Sequence, residues 1–268
     1  MRRFSAWLER PAQMADLTHE TVVSWLRHEV EVHSPATVNS RRAAILAIWR
    51  EAAEHELVPP PRKVPKANAP TRVPEAWTIE EVSRILEACR RVPGEWDGCP
   101  ASTAWEVAIS VLWDTACRLG SMLGARVVDV DLDRATWLVP AANIKGRRSD
   151  RLYRLHPDTV ALIRGSLAEP RDRLFPFPHK PDRVWYHLRK ILVAAGLPTT
   201  QRDLFHKLRR SAESYAAAAR GLAWAAQQVG HSEQVARAHY VAPSIVDTES
   251  LCDVLPRPTP GTLAIFAG

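Results

Sequence analysis

The chain is poor in cysteine, which argues against a disulfide-stabilised protein and against a zinc-binding protein. Its 268 residues include four cysteines, Cys89, Cys99, Cys117 and Cys252, and no two of them form a C-x-x-C pair. Such scattered cysteines are not typical of a disulfide framework or of a zinc site. The sequence predicts reduced thiols and no bound metal.

Long apolar runs are also absent. No stretch approaches the roughly 18 apolar residues that a membrane-spanning helix needs. The first ten residues, MRRFSAWLER, carry charges within their apolar run, which argues against a signal peptide. We therefore expect a cytoplasmic protein with no membrane partner.

What the chain does have is an ordinary globular composition with a basic excess. Hydrophobic residues make up 46% and charged residues 25%, which is ample for a core. The formal net charge is +6, and arginine, the side chain best matched to phosphate, dominates the basic residues. This charge favours a nucleic-acid partner, although a basic protein without one is about equally compatible with it.

Proline marks a boundary between two predicted domains. Residues 1–58 are predicted to be helical, with start signals at Thr18 and at Ser34-Pro35. Residues 59–75 are basic and contain six prolines, which favours an extended interdomain linker. A second domain is predicted over 76–255, followed by a tail over 256–268.

The second domain opens with a capping box at Thr78 and Glu81. Residues 137–139 and 151–155 have strand-like patterns, with a turn between them, and most of the remainder has helical periodicity.

The most informative residues are four near the C-terminus, His206, Arg209, His231 and Tyr240. Arginine binds two phosphate oxygens at once, histidine donates to phosphate or moves a proton, and tyrosine can attack phosphorus. Each has an ordinary alternative, because an isolated histidine is usually structural and a tyrosine often lies in an interface.

Two upstream segments complete a pattern. Thr115 to Arg126 reads TACRLGSMLGAR, and Asn143 to Arg148 reads NIKGRR. With the H-x-x-R, G-H and Tyr positions, these resemble the boxes of the tyrosine recombinase (phage integrase) family. By that resemblance Arg118, Lys145, His206, Arg209, His231 and Tyr240 are the catalytic residues, although Lys145 in a turn could be merely solvated.

The resemblance implies a role for each residue. Arg118 and Arg209 would bind the scissile phosphate, His231 would donate to a non-bridging oxygen, and His206 would assist proton transfer or bind the phosphate. Lys145 would protonate the leaving 5′ oxygen. Tyr240 would form a 3′-phosphotyrosyl bond, with no cofactor or metal required.

The same resemblance implies a fold and partners. We expect a mainly α fold with a small antiparallel β-sheet, built from an N-terminal helical core-binding domain and an α+β catalytic domain. Double-stranded DNA would be the substrate, and a homotetramer would assemble on paired recombination sites. The family's longer first helix implies an N-terminal domain that is either compact or truncated here.

Three positions depart from the family pattern. Ser121 stands where an acid usually braces the site, Lys207 where Asp is frequent, and Ala116 where Gly is usual. None of them replaces a predicted catalytic group.

Further arginines are candidates for DNA contacts. Arg147 and Arg148 lie beside Lys145, and Arg41 and Arg42 lie on the helix that follows Ser34. Each pair faces either DNA or water. The rival functions are a type IB topoisomerase, which shares this chemistry, and a DNA-binding family member that no longer cleaves.

Overall fold

The computed structural model describes residues 1–70, 73–144, 149–167, 171–177, 181–200 and 202–246. The chain divides into two compact units, with the boundary between Arg72 and Val73.

The first unit is a three-helix assembly. Helix α1 spans Arg2–Trp7, α2 spans His19–Val32 and α3 spans Pro35–Glu54. Thr18 caps α2 by accepting from the Thr21 amide, and Ser34 caps α3 in the same way with Pro35 at the first position. The predicted start signals of both helices are thereby confirmed. Their apolar faces meet around Val22, Trp25, Ile45 and Trp49.

Part of the predicted linker packs on this first unit. The Trp49 indole donates to the Pro59 carbonyl at 2.8 Å. Asn39 exchanges two hydrogen bonds with the main chain of Ala67. Val64 is 3% exposed and belongs to the same core. The proline-rich segment is therefore held in place as far as Ala67, because polar side chains of α3 satisfy its backbone.

The second unit is mainly helical. Thr78 and Glu81 form the predicted capping box. The helices are α4 (Ile79–Cys89), α5 (Ala101–Thr115), α6 (Leu119–Leu123), α7 (Pro157–Ser166), α8 (Pro181–Ala194), α9 (Phe205–Arg220), α10 (Leu222–Val229) and α11 (Glu233–His239).

Two small antiparallel sheets accompany these helices. A short antiparallel hairpin, which the sequence did not predict, consists of two strands of two residues each, β1 (Glu95–Trp96) and β2 (Cys99–Pro100). Strands β3 (Val130–Asp131), β4 (Thr136–Val139) and β5 (Arg151–Arg154) form a three-stranded sheet in the order β3-β4-β5. The expected fold class, mainly α with a small antiparallel sheet, is confirmed.

Helix α5 lies at the centre of the second unit. Nine of its residues are buried, and its mean hydropathy exceeds that of the other long helices described. It packs against α4, α7 and α9. A helix that is apolar on most sides must be buried on most sides. Its C-terminal end, which leads to Arg118, is therefore held by surrounding helices.

The entry of the second unit is tied to α9. The Trp77 amide donates to the Ser211 hydroxyl at 2.6 Å, and the Ile79 amide donates to the Tyr215 hydroxyl at 3.1 Å. The Trp77 ring is 1% exposed and lies under the Lys207 ammonium, 3.6 Å from the ring centroid. Helix α9 is thus anchored on the face opposite to exposed His206.

Candidate active site

Arg118 and Arg209 come together where α5 ends. Ala116 closes α5 with φ +46°, in the left-handed region that glycine adopts more easily. Its carbonyl accepts a hydrogen bond from Nη1 of Arg209, and the Val229 carbonyl accepts one from Nη2 at 3.4 Å. Arg118 follows two residues later, at the N-terminus of α6. The carbonyl of Ala116 therefore connects the segment that carries Arg118 to helix α9, which carries Arg209.

A cavity of about 470 Å³ opens beside these arginines. Arg118, His206 and Arg209 line it together, although Arg118 is 91 positions from Arg209 in the chain. Helix α8 contributes Trp185 and Arg189, which lie one turn apart on one face. The remaining wall is mostly apolar and comes from Cys117, Leu119, Gly120, Leu123, Leu204 and Phe205.

Tyr240 lies on the other side of His206. It lines an open pocket of about 460 Å³ with Arg202, His206, Arg210, Val235 and His239. His206 lines both cavities, so it borders the pocket of the arginine pair as well as that of the tyrosine.

The Tyr240 ring packs on two of the other predicted site residues. It stacks on the His231 ring, with centroids 4.5 Å apart and planes 24° apart. The Arg209 guanidinium lies 5.2 Å from the Tyr240 centroid, within the range of a cation–π contact. The structure therefore brings Arg118, His206, Arg209, His231 and Tyr240 into one neighbourhood.

Two further residues of α9 support this neighbourhood and were missed from the sequence. Nε2 of His231 lies 3.1 Å from each oxygen of the Glu213 carboxylate, which is 0% exposed. The Ser214 hydroxyl accepts from the Ala242 amide at 2.9 Å, and its single proton lies near two carbonyl groups, that of Arg210 at 2.7 Å and that of Tyr240 at 3.2 Å. Glu213 follows Arg209 by four positions, so its helical spacing was a signal that could have revealed it.

Burial shapes the electrostatics of the pocket. Arg209 is 2% exposed, and this burial lowers its pKa; the nearby charge of Arg118 acts in the same direction, whereas Tyr240 and Glu213 oppose it. Burial also raises the pKa of the Cys117 thiol to about 11. A buried thiol with a raised pKa is a poor nucleophile at neutral pH.

Ser121 and Lys207, the departures from the family pattern, both have structural partners. The Ser121 hydroxyl donates to the Asn143 carbonyl at 2.9 Å, and Asn143 Nδ2 donates to the Gly124 carbonyl at 2.9 Å. Lys207 does not line the cavity; its ammonium pairs with Asp203 at 3.2 Å and with Glu75 at 3.6 Å.

The other predicted residues lie elsewhere. Lys145, Arg147 and Arg148 fall outside the described residues. In the first unit, Arg41 pairs with Glu29, and Arg42 donates to the Val64 carbonyl from Nε at 2.9 Å and from Nη2 at 2.5 Å. Both guanidinium groups therefore have partners within their own unit.

The described part of the chain lacks two features that would change its assignment. No group of three or more His, Cys, Asp or Glu side chains there could hold a metal ion. Within the same residues, no helix combines the length and the apolar character that crossing a membrane requires. Cys89, Cys99 and Cys117 are free thiols, and Cys252 falls outside the described residues.

Solved structures similar to this one include site-specific recombinases and integrases. XerH site-specific recombinase, in a post-cleavage complex with palindromic difH substrate, has a TM-score of 0.67 at 15% identity over 93% of this chain and 73% of that one. Tn1549 transposon integrase in complex with transposon right end DNA has a TM-score of 0.63 at 12% identity, covering 94% and 89%. A lambda integrase tetramer bound to a Holliday junction has a TM-score of 0.60 at 15% identity, covering 86% and 68%.

Comparison by sequence gives no match. No family model matches the chain, and no curated protein matches it. At such low identities the structural likeness establishes the fold. That fold is the one implied by the resemblance to tyrosine recombinases, which is confirmed at this level.

Proposed function

We propose that this chain is a tyrosine recombinase that cleaves and rejoins DNA strands through a 3′-phosphotyrosyl intermediate. One observation carries the proposal: Arg118, His206 and Arg209 line a single cavity, and Tyr240 packs on Arg209 and His231 at its edge. Each of these side chains is of a type that serves phosphoryl transfer, and the fold of known recombinases brings them together.

The chemistry follows from these groups. The phenolic oxygen of Tyr240 bonds to phosphorus as the bond from phosphorus to the 5′ oxygen breaks. Arg118 and Arg209 offset the charge that builds on the non-bridging oxygens. The covalent bond to the 3′ phosphate retains the free energy needed for a second 5′ hydroxyl to reverse the step.

Proton movements complete the balance. Tyr240 loses its proton on attack, and His206, which lines both cavities, is placed to assist that transfer. The leaving 5′ oxygen gains a proton, for which Lys145 remains our proposed donor. We also keep His231 as the donor to a non-bridging oxygen.

DNA is the proposed substrate on grounds of charge. The chain carries a net charge of +6, and the cavity has two arginines as well as Arg189 in its lining. Among the described residues, no carbonyl or carboxylate group accepts a hydrogen bond from Arg118, so the N–H groups of its guanidinium remain for phosphate.

We also keep four arginines as proposed DNA contacts, namely Arg41, Arg42, Arg147 and Arg148. Assembly as a homotetramer is likewise proposed, since the lambda integrase with this fold is a tetramer on a Holliday junction.

Adduct formation on nicked DNA tests the proposal. The substrates are duplexes from the DNA that flanks the gene, with inverted repeats and a nick near the expected cleavage point. They trap a covalent complex because the short fragment that carries the new 5′ hydroxyl diffuses away. We expect an adduct with the native chain and none with Tyr240→Phe. Tyr186→Phe is the matched control, since Tyr186 is an exposed tyrosine of α8 and should keep its adduct.

Other outcomes identify the rival functions. Relaxation of supercoiled plasmid without any specific site would indicate a type IB topoisomerase. Specific DNA binding without an adduct on any flanking site or randomised library would indicate a member that no longer cleaves, and would refute the proposal.

A further inference from the structure

Glu213 is an ionisable group that the proposed reaction leaves without a role. Its side chain is 0% exposed, in the middle of α9, one turn after Arg209 and two turns after His206. Placing a carboxylate in so dry a position is costly unless a partner compensates for the lost water. Its position among site residues calls for a reason beyond packing.

The partner of Glu213 is His231. Both carboxylate oxygens lie 3.1 Å from Nε2, and the His231 side chain is 6% exposed. Among the described residues no amide, hydroxyl or other cation forms a hydrogen bond with this carboxylate. Arg209 lies near enough for its charge to interact with Glu213. The histidine is therefore the group that makes burial of Glu213 tolerable.

This geometry fixes the His231 ring in two respects. An ionised carboxylate only accepts hydrogen bonds, so an ionised Glu213 requires the proton of this contact to be on Nε2. The second nitrogen, Nδ1, is 3.4 Å from the Ser232 carbonyl, at the limit of a hydrogen bond. One face of the same ring stacks on Tyr240. The carboxylate thus sets the tautomer and the plane against which the tyrosine rests.

We propose that Glu213 is a positioning residue for strand cleavage: it accepts the proton of Nε2 and keeps the His231 ring under Tyr240, so that Nδ1 is the nitrogen that donates to a DNA phosphate when the ring is an imidazolium with both nitrogens protonated. The cleavage role rests on the proposed function, whereas the tautomer does not. Behind histidine ligands of metals, losing such a carboxylate typically costs about 10- to 100-fold in metal affinity or activity, and we expect an effect of that order here.

If Glu213 served only to pack α9, replacing it should have the same effect as replacing another buried polar residue of that helix. Ser211 is also 0% exposed on α9, but its hydroxyl binds the Trp77 amide and the Lys207 carbonyl, on another side of the helix from His231. Ser211→Ala therefore removes a buried polar group of α9 without touching the histidine. It is the matched control for effects that arise from loosening the helix.

The first measurement uses the full chain labelled with ¹⁵N-histidine. Long-range proton–nitrogen NMR reports which ring nitrogen carries a proton, and His231→Asn identifies the signal. We expect a protonated Nε2 in the native chain and in Ser211→Ala. A neutral His231 ring with its proton on Nδ1 overturns the proposal, and this readout needs neither DNA nor a Glu213 variant.

The second measurement compares cleavage rates on the nicked duplex under single-turnover conditions. Glu213→Gln keeps the shape of the side chain but removes its charge and can turn its amide group toward Nε2. We expect adduct formation to slow by about tenfold or more, with DNA affinity within about twofold of the native chain. A native rate in a folded Glu213→Gln protein overturns the role in cleavage. If the native chain forms no adduct, the proposed function fails while the NMR result still decides the tautomer.

Discussion

The Ser121 hydroxyl donates a hydrogen bond to the main-chain carbonyl of Asn143 at 2.9 Å. Ser121 stands three residues after Arg118, and Asn143 stands two residues before Lys145 in the chain. A neutral hydroxyl thereby links the first-arginine helix to the segment that leads to the proposed catalytic lysine, at the position where the family usually has an acid.

Removing this link should lower both stability and cleavage. Ser121→Ala leaves the Asn143 carbonyl without its donor, which should cost about 1 kcal/mol in the free energy of unfolding. We also expect slower single-turnover cleavage on the nicked duplex. Urea denaturation measures the first effect. Ser83→Ala is the control, because Ser83 is an exposed serine whose hydroxyl bonds within α4; an equal loss in both variants would contradict the assignment.

Arginine at position 209 should not be replaceable by lysine. Its two terminal nitrogens reach the Ala116 and Val229 carbonyls on different segments, and a single ammonium cannot span both. Arg209→Lys should lose roughly 2–3 kcal/mol of unfolding free energy and its DNA adduct. Chemical denaturation and the adduct assay test this together. Arg220→Lys, on an exposed arginine of the same helix, should change neither.

Glycine is required at position 230. Gly230 adopts φ +82°, and a Cβ there would collide with the Arg151 guanidinium, which donates to the Gln228 carbonyl at 3.1 Å. Gly230→Ala should cost about 1–2 kcal/mol from the left-handed backbone, and more if Arg151 must move. Thermal and urea unfolding measure the loss.

Gly165 provides the comparison for this substitution. It lies inside α7, is exposed, and has nothing within 4 Å of an added Cβ. Gly165→Ala should raise the free energy of unfolding by roughly 0.5–1 kcal/mol. If both alanine variants behave alike, the backbone conformation of Gly230 is not the cause.

The Asp203–Lys207 pair should make part of the stability depend on pH. Burial of Asp203 acts to raise its pKa, but hydrogen bonds from Thr200 and Lys207 and the Lys207 charge outweigh burial, so the pKa lies below the ordinary 3.8. A carboxyl with a lowered pKa stabilises the fold above its unfolded pKa, and the contribution fades as pH falls through the folded value.

We therefore expect Asp203→Asn to be destabilising at pH 6 and progressively less so, relative to the native chain, below about pH 4. Urea unfolding across this range measures the difference. Asp97→Asn, on an exposed aspartate, corrects for the loss of one negative charge. A stability difference that stays constant from pH 6 to pH 2.5 would show that the pair does not contribute as proposed.

Local signals in the sequence determined the framework of this protein. The caps at Thr18, Ser34 and Thr78 were predictable because a capping side chain bonds to an amide only two or three residues away. The strands around Trp137 and Tyr153 were predictable from side-chain alternation, and they pair as neighbours in the three-stranded sheet. Residue types in a family-like order also led to the prediction of six catalytic positions, which remains a prediction.

Only the tertiary structure decided how the site is supported. Three supporting residues have partners that are at least four positions away along the chain, and most of those partners lie on other segments. These residues are Ser121, Lys207 and Glu213. A glutamate of α9 can face water or a histidine 18 positions later, and which of the two it meets depends on how α10 folds back onto that helix. Sequence spacing sets which face of a helix a side chain lies on, but packing between helices sets what that face meets.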